Sequence, residues 1–275
     1  MLNALSVDVE DWFQVTNFEK VIDRDQWDLC ESRVVPNVQK ILDIFTARDV
    51  RATFFILGWI AERHPQLVRA IHERGHEVST HGYSHVQIQD QSPEEFHDDV
   101  SRAIRILEDI LGEEVIGYRA PSYSIVPTTM WAWEQLSTLG IRYDSSVFPI
   151  KHDRYGVASL PRFPFTVELK DGRELVEFPL SSVRILGKNI PIAGGGYLRL
   201  YPYWFIKWAV GKINRQGHPV IFYLHPWEID PYQPRQKVSL FKRLRHYTNI
   251  AATEAKIRAL IEDFPFSTVR EVLNM

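Results

Sequence analysis

The sequence predicts an α/β fold with a parallel, barrel-like sheet. Strand-like apolar runs alternate along the chain with amphipathic helical patterns, which is typical of βα units. Several of these runs end at charged or polar residues, as happens where parallel strands present a functional site at their carboxyl ends. With 275 residues, of which 45% are hydrophobic, the chain can bury one sizeable core. We therefore expect one domain over residues 1–275.

The individual elements follow from periodicity and from capping signals. Strand-like runs cover residues 2–7, 52–57, 77–80, 115–116, 220–224 and 267–269. Helical patterns cover residues 65–73, 93–112, 128–139, 201–215 and 251–261. The clearest start signal is Ser92-Pro93-Glu94-Glu95, a capping box with proline at the first helical position.

Residues 163–191 break this alternation. Two strand-like runs, 165–169 and 175–179, flank Asp171-Gly172, a pair that is typical of a tight hairpin turn. The pattern predicts a β-hairpin insertion within the same domain, and we expect this insertion to shape one wall of the cleft.

Three carboxylates follow the first strand. Asp8, Glu10 and Asp11 lie within four residues, directly after the apolar run at 2–7. Carboxylates at the end of a buried strand are costly unless they are solvated, paired or bound to a metal. A solvated acidic loop is the simpler explanation, but strand ends are also the places where α/β folds build their sites.

A pair of histidines follows the strand at 77–80. His81 and His85 are four residues apart, and on a helix or tight turn that spacing lets both rings reach one divalent cation. By itself the pair is weak support for a metal site, because the chain has ten histidines and such a spacing arises by chance.

Three further polar residues stand at strand ends. Arg119 follows the apolar pair at 115–116 and precedes a turn fixed by proline, where it could hold a carboxylate. Asp144 is another acid at a strand end, and His225 closes the apolar run at 220–224. Simpler explanations exist for two of them: Arg119 could be a surface arginine, and His225 could be a core histidine bonded to backbone.

Taken in order, these elements resemble the NodB-homology polysaccharide deacetylases, which are metal-dependent carbohydrate esterases. The resemblance runs over residues 2–227, and it implies a distorted, incomplete (β/α) barrel. The family's motifs carry a catalytic and a metal-binding Asp, a His pair separated by three residues, Arg-x-Pro, an Asp, and a strand that ends in His. The joint order and spacing are far more specific than any one motif.

The chain departs from the family pattern in two places. The acids of the first motif are adjacent in the common pattern, whereas here Val9 separates Asp8 from Glu10. Some branches of the superfamily space the acids in this way, and resemblance to them implies Asp8 as the base and Glu10 as the metal ligand. Asp11 remains a rival ligand. Ser122 stands where the third motif has tyrosine, and Tyr123 comes one residue later, so the substrate contact at this position differs.

Two later segments narrow the resemblance. Residues 194–202 and 225–231 are similar to the exosortase-associated branch, whose members are linked to exopolysaccharide production. The implied substrate is an N-acetylated glycan or a lipid-linked glycan precursor.

The residue types allow a complete hydrolysis of an N-acetyl amide. His81, His85 and a carboxylate would hold one divalent metal, whose bound water is the nucleophile; zinc, cobalt, nickel and iron all suit such ligands. Asp8 would take the proton of the water and Arg119 would keep Asp8 ionised. His225, held protonated by a partner such as Asp144, would donate a proton to the departing amine.

Aromatic and glycine residues near these motifs suggest contacts with a sugar. Trp12, Tyr123 and Trp227 could stack on apolar sugar faces, although most tryptophans are structural. Gly195, in a run of three glycines, permits a close backbone approach to a ligand or merely a flexible turn. The backbone N–H near Ser122 would stabilise the oxyanion.

Composition excludes several classes of protein. The formal net charge of -3 gives no footprint for nucleic acid. No apolar run approaches the roughly 20 residues that a membrane span needs, and no signal peptide is visible. Cys30 is the single cysteine, which excludes an internal disulfide and fits a reducing compartment. We expect a cytoplasmic protein.

Three functions remain open at this point. The first is a metal-dependent N-deacetylase that acts on an amino sugar of an exopolysaccharide or its precursor. The second is a C–N hydrolase of a small cyclic amide or ureide, because spaced first-motif acids also occur in such relatives. The third is a catalytically silent glycan-binding module. The oligomeric state is not predicted by the sequence.

Overall fold

A computed structural model describes residues 1–152 and 155–275 of the protein. These residues are built around a curled sheet of nine strands. The strands in chain order are β1 (Asn3–Val9), β2 (Thr53–Ile56), β3 (Glu77–Thr80), β4 (Gly117–Tyr118), β5 (Tyr143–Asp144), β6 (Phe165–Glu168), β7 (Glu174–Glu177), β8 (Ser182–Ile185), β9 (Lys188–Pro191), β10 (Ile221–Leu224) and β11 (Phe266–Ser267). Their order in the sheet is β10-β1-β2-β3-β4-β5-β7-β6, while β11 pairs with β1 and β8 pairs with β9 in a small second sheet.

Helices cover the sheet. They are α1 (Val34–Thr46), α2 (Gly58–Arg63), α3 (Pro65–Glu73), α4 (Pro93–Leu111), α5 (Ala132–Thr138), α6 (Gly195–Leu200), α7 (Tyr203–Arg215), α8 (Leu240–Tyr247), α9 (Ile250–Asp263) and α10 (Val269–Leu273). None of the helices in the described part of the chain has the length and apolarity that crossing a bilayer requires.

The strand β1 lies inside the sheet and is buried along its whole length. It pairs in parallel with β10 on one side and with β2 on the other, in the registers Val7↔Leu224 and Asp8↔Phe55. Because all three strands run in the same direction, the residues that follow them meet at one edge of the sheet. The predicted α/β fold with a parallel, half-barrel sheet is therefore confirmed.

The capping signal of the longest helix is confirmed in detail. The Ser92 hydroxyl accepts the N–H of Glu95 at 3.2 Å, and Oε2 of Glu95 accepts the N–H of Ser92 at 2.8 Å. The helix α4 ends at Leu111, and the φ of 73° at the following Gly112 lies in the left-handed region that favours glycine.

Several of the predicted boundaries shift. The first strand continues to Val9 instead of ending at residue 7, and β4 covers Gly117–Tyr118 instead of residues 115–116. The helix expected over 128–139 begins at Ala132, after a turn. The strand expected over 267–269 ends at Ser267, because the Thr268 hydroxyl accepts the N–H of Glu271 at 3.1 Å and so starts the helix α10.

The predicted hairpin exists but extends the main sheet. The strands β6 and β7 pair antiparallel, and β7 also pairs in parallel with β5. The hairpin is therefore the edge of the sheet, and a second hairpin, β8–β9, follows it without a clear turn signal in the sequence.

Candidate active site

The carboxyl ends of three strands bring five of the predicted residues to one cavity of about 520 Å³. Its lining includes these five residues from the predicted set: Asp8, Glu10, His81, His85 and His225. Asp8 and Glu10 belong to the end of β1, His81 follows β3 and His225 follows β10. These residues are far apart in the sequence, and the parallel register places them together.

Arg119, directly after β4, lies fully buried beneath this cavity. Its Nη1 donates to Oδ1 of Asp8 at 2.8 Å and to Oγ of Ser6 at 3.0 Å. Its Nε and Nη2 donate to the carbonyl and hydroxyl oxygens of Ser145, both at 2.8 Å. The guanidinium is therefore held from three sides, and it contributes a fixed positive charge against Asp8.

Asp8 is also reached from a second side. The hydroxyl of Tyr123 donates to Oδ2 of Asp8 at 3.4 Å, and Nε2 of His225 lies 3.9 Å from the same oxygen. Burial raises the pKa of Tyr123 well above its usual value, so that this residue remains a phenol donor.

Glu10 lies between two histidines. Its Oε1 is 3.0 Å from Nε2 of His225, and its Oε2 is 3.0 Å from Nε2 of His85. Burial disfavours the ionised carboxylate, but the charges of His85 and His225 outweigh this effect and lower the pKa of Glu10 to about 2. Glu10 is therefore an anion at neutral pH.

The histidine pair is held in place by its loop. Nδ1 of His81 donates to the carbonyl of Arg119 at 2.8 Å, which fixes the ring and leaves Nε2 without its proton. The carboxylate of Asp99 accepts the N–H groups of Tyr83 and Ser84 at 2.7 and 3.0 Å. Burial lowers the pKa of His81 to about 4, so that the ring is neutral and able to ligate.

The donor set fits a divalent metal. The ring centroids of His81 and His85 are 5.3 Å apart, and Oε2 of Glu10 is buried without a hydrogen bond although it lies 3.0 Å from His85. Two ligand atoms at about 2.1 Å from one tetrahedral metal lie about 3.4 Å apart. This is close to the 3.0 Å between Oε2 of Glu10 and Nε2 of His85. Within residues 1–152 and 155–275, however, no three such groups have ligand atoms already converged on one point.

Asp11 has a different set of partners. Its Oδ2 accepts from the N–H groups of Arg33 and Val34 at 2.8 and 3.1 Å, and from the Ser32 hydroxyl at 2.8 Å. Its Oδ1 accepts the N–H of Trp12 at 2.8 Å. Oδ2 thus holds the start of the helix α1 and Oδ1 holds the chain at Trp12, whereas Glu10 faces the histidines.

The partner of His225 is Glu228. Nδ1 of His225 and its backbone N–H both donate to Oε2 of Glu228, at 3.1 and 3.0 Å. The other oxygen of Glu228 accepts Nε of Arg199 at 2.8 Å. Burial disfavours the imidazolium of His225, but the charges of Glu10 and Glu228 outweigh this effect and raise its pKa to about 9.

The predicted partnership between Asp144 and His225 is wrong. Asp144 accepts a hydrogen bond from Nε1 of Trp133 at 2.9 Å and from the hydroxyl of Ser146. It lies opposite Glu177 in the β5–β7 register, and burial raises the pKa of both acids. Because two buried carboxyls cannot both ionise at low cost, Asp144 belongs to a structural pair.

The predicted tryptophan platforms are buried side chains. Trp12 donates from Nε1 to the carbonyl of Glu31 at 2.9 Å and packs against Phe13. Trp227 stacks between His225 and His246, with centroid distances of 5.1 and 4.3 Å. Trp12 does not line the cavity, and only an edge of Trp227 reaches it, because 95% of that side chain is covered.

The predicted contacts after β4 do face the cavity. Ser122 and Tyr123 line it, and both have left-handed backbone conformations, with φ values of 54° and 56°. Non-glycine residues in this region are strained and cluster at functional sites. In the described part of the chain, the N–H of Ser122 makes no hydrogen bond to backbone.

Gly195 serves packing instead of a ligand. A Cβ at Gly195 would lie 2.6 Å from the hydroxyl of Tyr223, and one at Gly194 would lie 1.9 Å from the carbonyl of Tyr223. The glycines therefore let the chain before α6 lie directly against β10, and Gly195 is absent from the cavity lining.

The walls of the cavity come from segments that sequence reasoning missed. No residue of 163–191 lines it, so the expected role of the hairpin as a wall is wrong. The helices α6 and α8 supply the wall instead, through Tyr197, Arg199, Phe241 and Leu244. For the partner of His225, the sequence offered one signal. Glu228 stands three residues after His225, and the two form a capping box across a short 3-10 turn.

Solved structures with this architecture define the class of fold. A protein from Mycobacterium smegmatis, provisionally assigned as a polysaccharide deacetylase, aligns with 99% of this chain and 88% of its own, at 20% identity and a TM-score of 0.65. PuuE allantoinase aligns with 99% of this chain and 89% of its own, at 15% identity and a TM-score of 0.64. A CE4 family pseudoenzyme from Bacillus anthracis aligns with 99% of this chain and 65% of its own, at 15% identity and a TM-score of 0.53. The chain has the open half-barrel fold of the carbohydrate esterase family 4 deacetylases.

Sequence matches support a family. Residues 26–143 match the polysaccharide deacetylase family model, and residues 145–274 match a domain of unknown function, DUF3473. The first match and the curated relatives support the assignment of the chain to the polysaccharide deacetylase family. The two matched stretches meet at the end of β5, and both contribute strands to the one sheet.

The curated relatives match over part of their length. A peptidoglycan-N-acetylglucosamine deacetylase from Bacillus cereus is 34% identical over 97 residues, which are 35% of this chain and 35% of the relative. A chitooligosaccharide deacetylase from Bradyrhizobium is 31% identical over 98 residues, 36% of this chain and 42% of the relative. The matched segment thus spans less than half of either relative.

Proposed function

We propose that this protein is a metal-dependent N-deacetylase that acts on N-acetylated amino sugars of an exopolysaccharide or its precursor. The observation that carries the proposal is the convergence of Asp8, Glu10, His81, His85 and His225 on one cavity. The names of the curated relatives support N-acetylglucosamine units as the substrate class. The resemblance of residues 194–202 and 225–231 to the exosortase-associated branch supports an exopolysaccharide.

Glu10, His81 and His85 would hold the metal. Two imidazoles and one carboxylate are the ligand set of many catalytic zinc sites, and the contacts of Asp11 at the start of α1 favour Glu10 as the carboxylate ligand. When bound, the cation would polarise the amide carbonyl and lower the pKa of a coordinated water.

Asp8 is the general base of the proposed reaction. The hydrogen bond from Arg119 at 2.8 Å fixes its Oδ1, while Oδ2 faces the cavity beside Tyr123. Asp8 accepts a proton from the attacking water. The N–H of Ser122, which has no backbone partner in the described part of the chain, would donate to the oxyanion that forms on the amide.

His225 is the general acid. Its imidazolium donates a proton to the departing amine, so that acetate and a free amino sugar are released. Glu228 acts through His225 as a positioning residue: it fixes Nδ1, so that Nε2 points to Glu10 and the cavity. Arg199 holds Glu228 in turn.

The proposal is tested by metal content and acetate release together. Untagged wild-type protein and the His81→Ala/His85→Ala variant are analysed for metals and assayed with N-acetylated chitooligosaccharides and with allantoin. We expect about one equivalent of metal and acetate release for the wild type, and loss of both in the variant.

Two outcomes would overturn the proposal. Hydrolysis of allantoin without acetate release would favour the C–N hydrolase of small ureides, whose fold neighbour is PuuE allantoinase. The absence of metal after reconstitution with zinc or cobalt, together with retained glycan binding, would favour the silent module.

A further inference from the structure

Charge is distributed unevenly along this chain. Residues 178–253 contain eleven Lys and Arg but two acids, Glu228 and Asp230, although the whole chain has 35 acids and 32 Lys and Arg. Both acids are buried and paired, Glu228 with Arg199 and Asp230 with Arg33. The surface formed by this stretch therefore has an excess of positive charge, while the rest of the chain is acidic.

Exposed apolar side chains are concentrated in the same stretch. On α8, Leu240, Phe241 and Leu244 are 71%, 73% and 57% exposed, and they share one face of the helix. On α6 and α7, Leu200 and Trp204 are 55% and 70% exposed. A soluble surface rarely groups so many large apolar side chains without a partner.

These side chains surround the mouth of the candidate active site. Leu200 from α6 and Phe241 and Leu244 from α8 line the same cavity as the catalytic candidates. Arg245 lies among them, so apolar and cationic groups occupy one rim. We call this rim, with Trp204 and Leu240, the mouth surface.

The cations beside the mouth surface are available to a partner. Arg235, Lys237 and Arg243 are exposed, and in the described part of the chain none has an acidic group within ion-pair distance. Lys207 is different, because its Nζ is 2.6 Å from Asp263. From residue 231 to residue 253 the chain has five Lys and Arg and no acid.

We propose that the mouth surface docks on an anionic lipid bilayer. A short helix with apolar residues on one face and Lys and Arg beside them lies in the interface of such membranes, with Trp and Phe at the depth of the headgroups. Anionic lipids supply the complementary charge. Docking in this orientation turns the cavity toward the membrane. If the proposed function holds, the substrate is then an amino sugar on a lipid carrier.

Vesicle flotation tests the proposal without any activity readout. The protein is mixed with phosphatidylcholine vesicles, or with vesicles that also contain phosphatidylglycerol. We expect binding to the mixed vesicles, weaker binding to neutral ones, and loss of binding at high salt. Because no turnover is measured, failure of the proposed deacetylase would leave this result intact.

Variants separate the apolar from the electrostatic contribution. Trp204→Ser/Leu240→Ser should weaken partitioning at least about tenfold, since two large side chains no longer enter the interface. Lys237→Gln/Arg243→Gln should weaken partitioning roughly 25-fold, at about fivefold per cation. The matched control is Val21→Ser/Leu29→Ser, which removes apolar residues that are 48% and 85% exposed outside the stretch, and it should bind like the wild type.

Three results would overturn the proposal. One is a folded wild type that does not float with the mixed vesicles. Another is an equal loss in the Val21/Leu29 control, since the binding would then be general stickiness. The third is release from vesicles by soluble polygalacturonate at stoichiometric amounts, which would assign the surface to an anionic polymer. Trp204 and Leu240 do not line the cavity, so turnover of soluble chitooligosaccharides should be unchanged in their variant.

Discussion

Glu228 lies 3.1 Å from Nδ1 of His225 and accepts a hydrogen bond from both its ring and its backbone. This carboxylate is the partner of His225, the role for which the sequence had suggested Asp144. It comes from the same strand end as the histidine, three residues along the chain, and is itself held by Arg199. The proposed acid, His225, is therefore oriented by Glu228. Glu228 is held by Arg199, which also donates to backbone carbonyls of α8.

Replacement of Glu228 should affect turnover more than substrate affinity. In Glu228→Gln the charge opposite His225 is lost, and we expect kcat to fall by about 10²-fold with KM little changed, because a positioned acid contributes roughly 10²–10⁴-fold. Glu228→Asp, which keeps the charge, should recover part of the loss. The control is Asp144→Asn, which should keep kcat. A larger loss of kcat in Asp144→Asn than in Glu228→Gln would contradict this assignment.

Arg119 cannot be replaced by lysine. The guanidinium makes four hydrogen bonds from three nitrogens, whereas a lysine ammonium has three N–H donors on a single atom, so Asp8 loses its orientation. We expect Arg119→Lys to lower turnover by roughly 10²-fold or more and to destabilise the fold by about 2–4 kcal/mol. The control is Arg142→Lys, since Arg142 is 59% exposed and pairs at the surface with Glu114. Steady-state kinetics and urea unfolding of both variants measure the two effects, and wild-type turnover in Arg119→Lys would show that Asp8 needs no arginine.

Replacement of Glu10 should abolish metal binding, whereas replacement of Asp11 should lower stability. Glu10→Gln removes the carboxylate that faces His85, and bound metal should be lost on dialysis. Asp11→Asn weakens the contacts at the start of α1, so we expect it to retain metal and to lose about 1 kcal/mol of unfolding free energy. Elemental analysis and denaturant unfolding decide between them. Metal lost from Asp11→Asn and kept in Glu10→Gln would reverse the ligand assignment.

Local signals in the sequence were sufficient for much of the fold. The capping box at Ser92 placed α4, and the apolar runs that end at Asp8, His81 and His225 placed three strand ends at one edge. In a parallel sheet that edge is shared, so residues distant in the sequence could be grouped without knowing their distances. For the same reason the predicted residues Asp8, Arg119, His81 and His85 are found together.

The parts that depend on long-range packing could not be predicted. Trp12 and Trp227 have the composition of a sugar platform, and only the fold shows that both are covered. Arg199 reaches Glu228 and the end of α8 from positions 29 and 46–49 residues away, which no local pattern encodes. The choice of Glu228 over Asp144 likewise depends on which strand lies beside β10.

A buried histidine far from the cavity should make stability depend on pH. His76 is 4% exposed, and its Nδ1 accepts the N–H of Ala52 at 3.2 Å. Burial, together with the charges of Arg74 and Arg51, lowers its pKa from 6.5 to about 4. Because the folded pKa is depressed, the unfolded chain takes up a proton first as the pH falls. The contribution of His76 is therefore complete above pH 6.5 and is lost progressively between 6.5 and about 4.

The variant His76→Gln keeps an acceptor for Ala52 but does not titrate. Between pH 7.5 and about pH 5, the free energy of unfolding of the wild type should fall by about 2 kcal/mol relative to that of this variant. Urea unfolding at the two pH values measures this shift. The control is His97→Gln, at a side chain that is 41% exposed on α4, for which no comparable shift is expected. A stability difference for His76→Gln that is the same at both pH values would mean that folding does not change the proton affinity of His76, which would contradict the prediction.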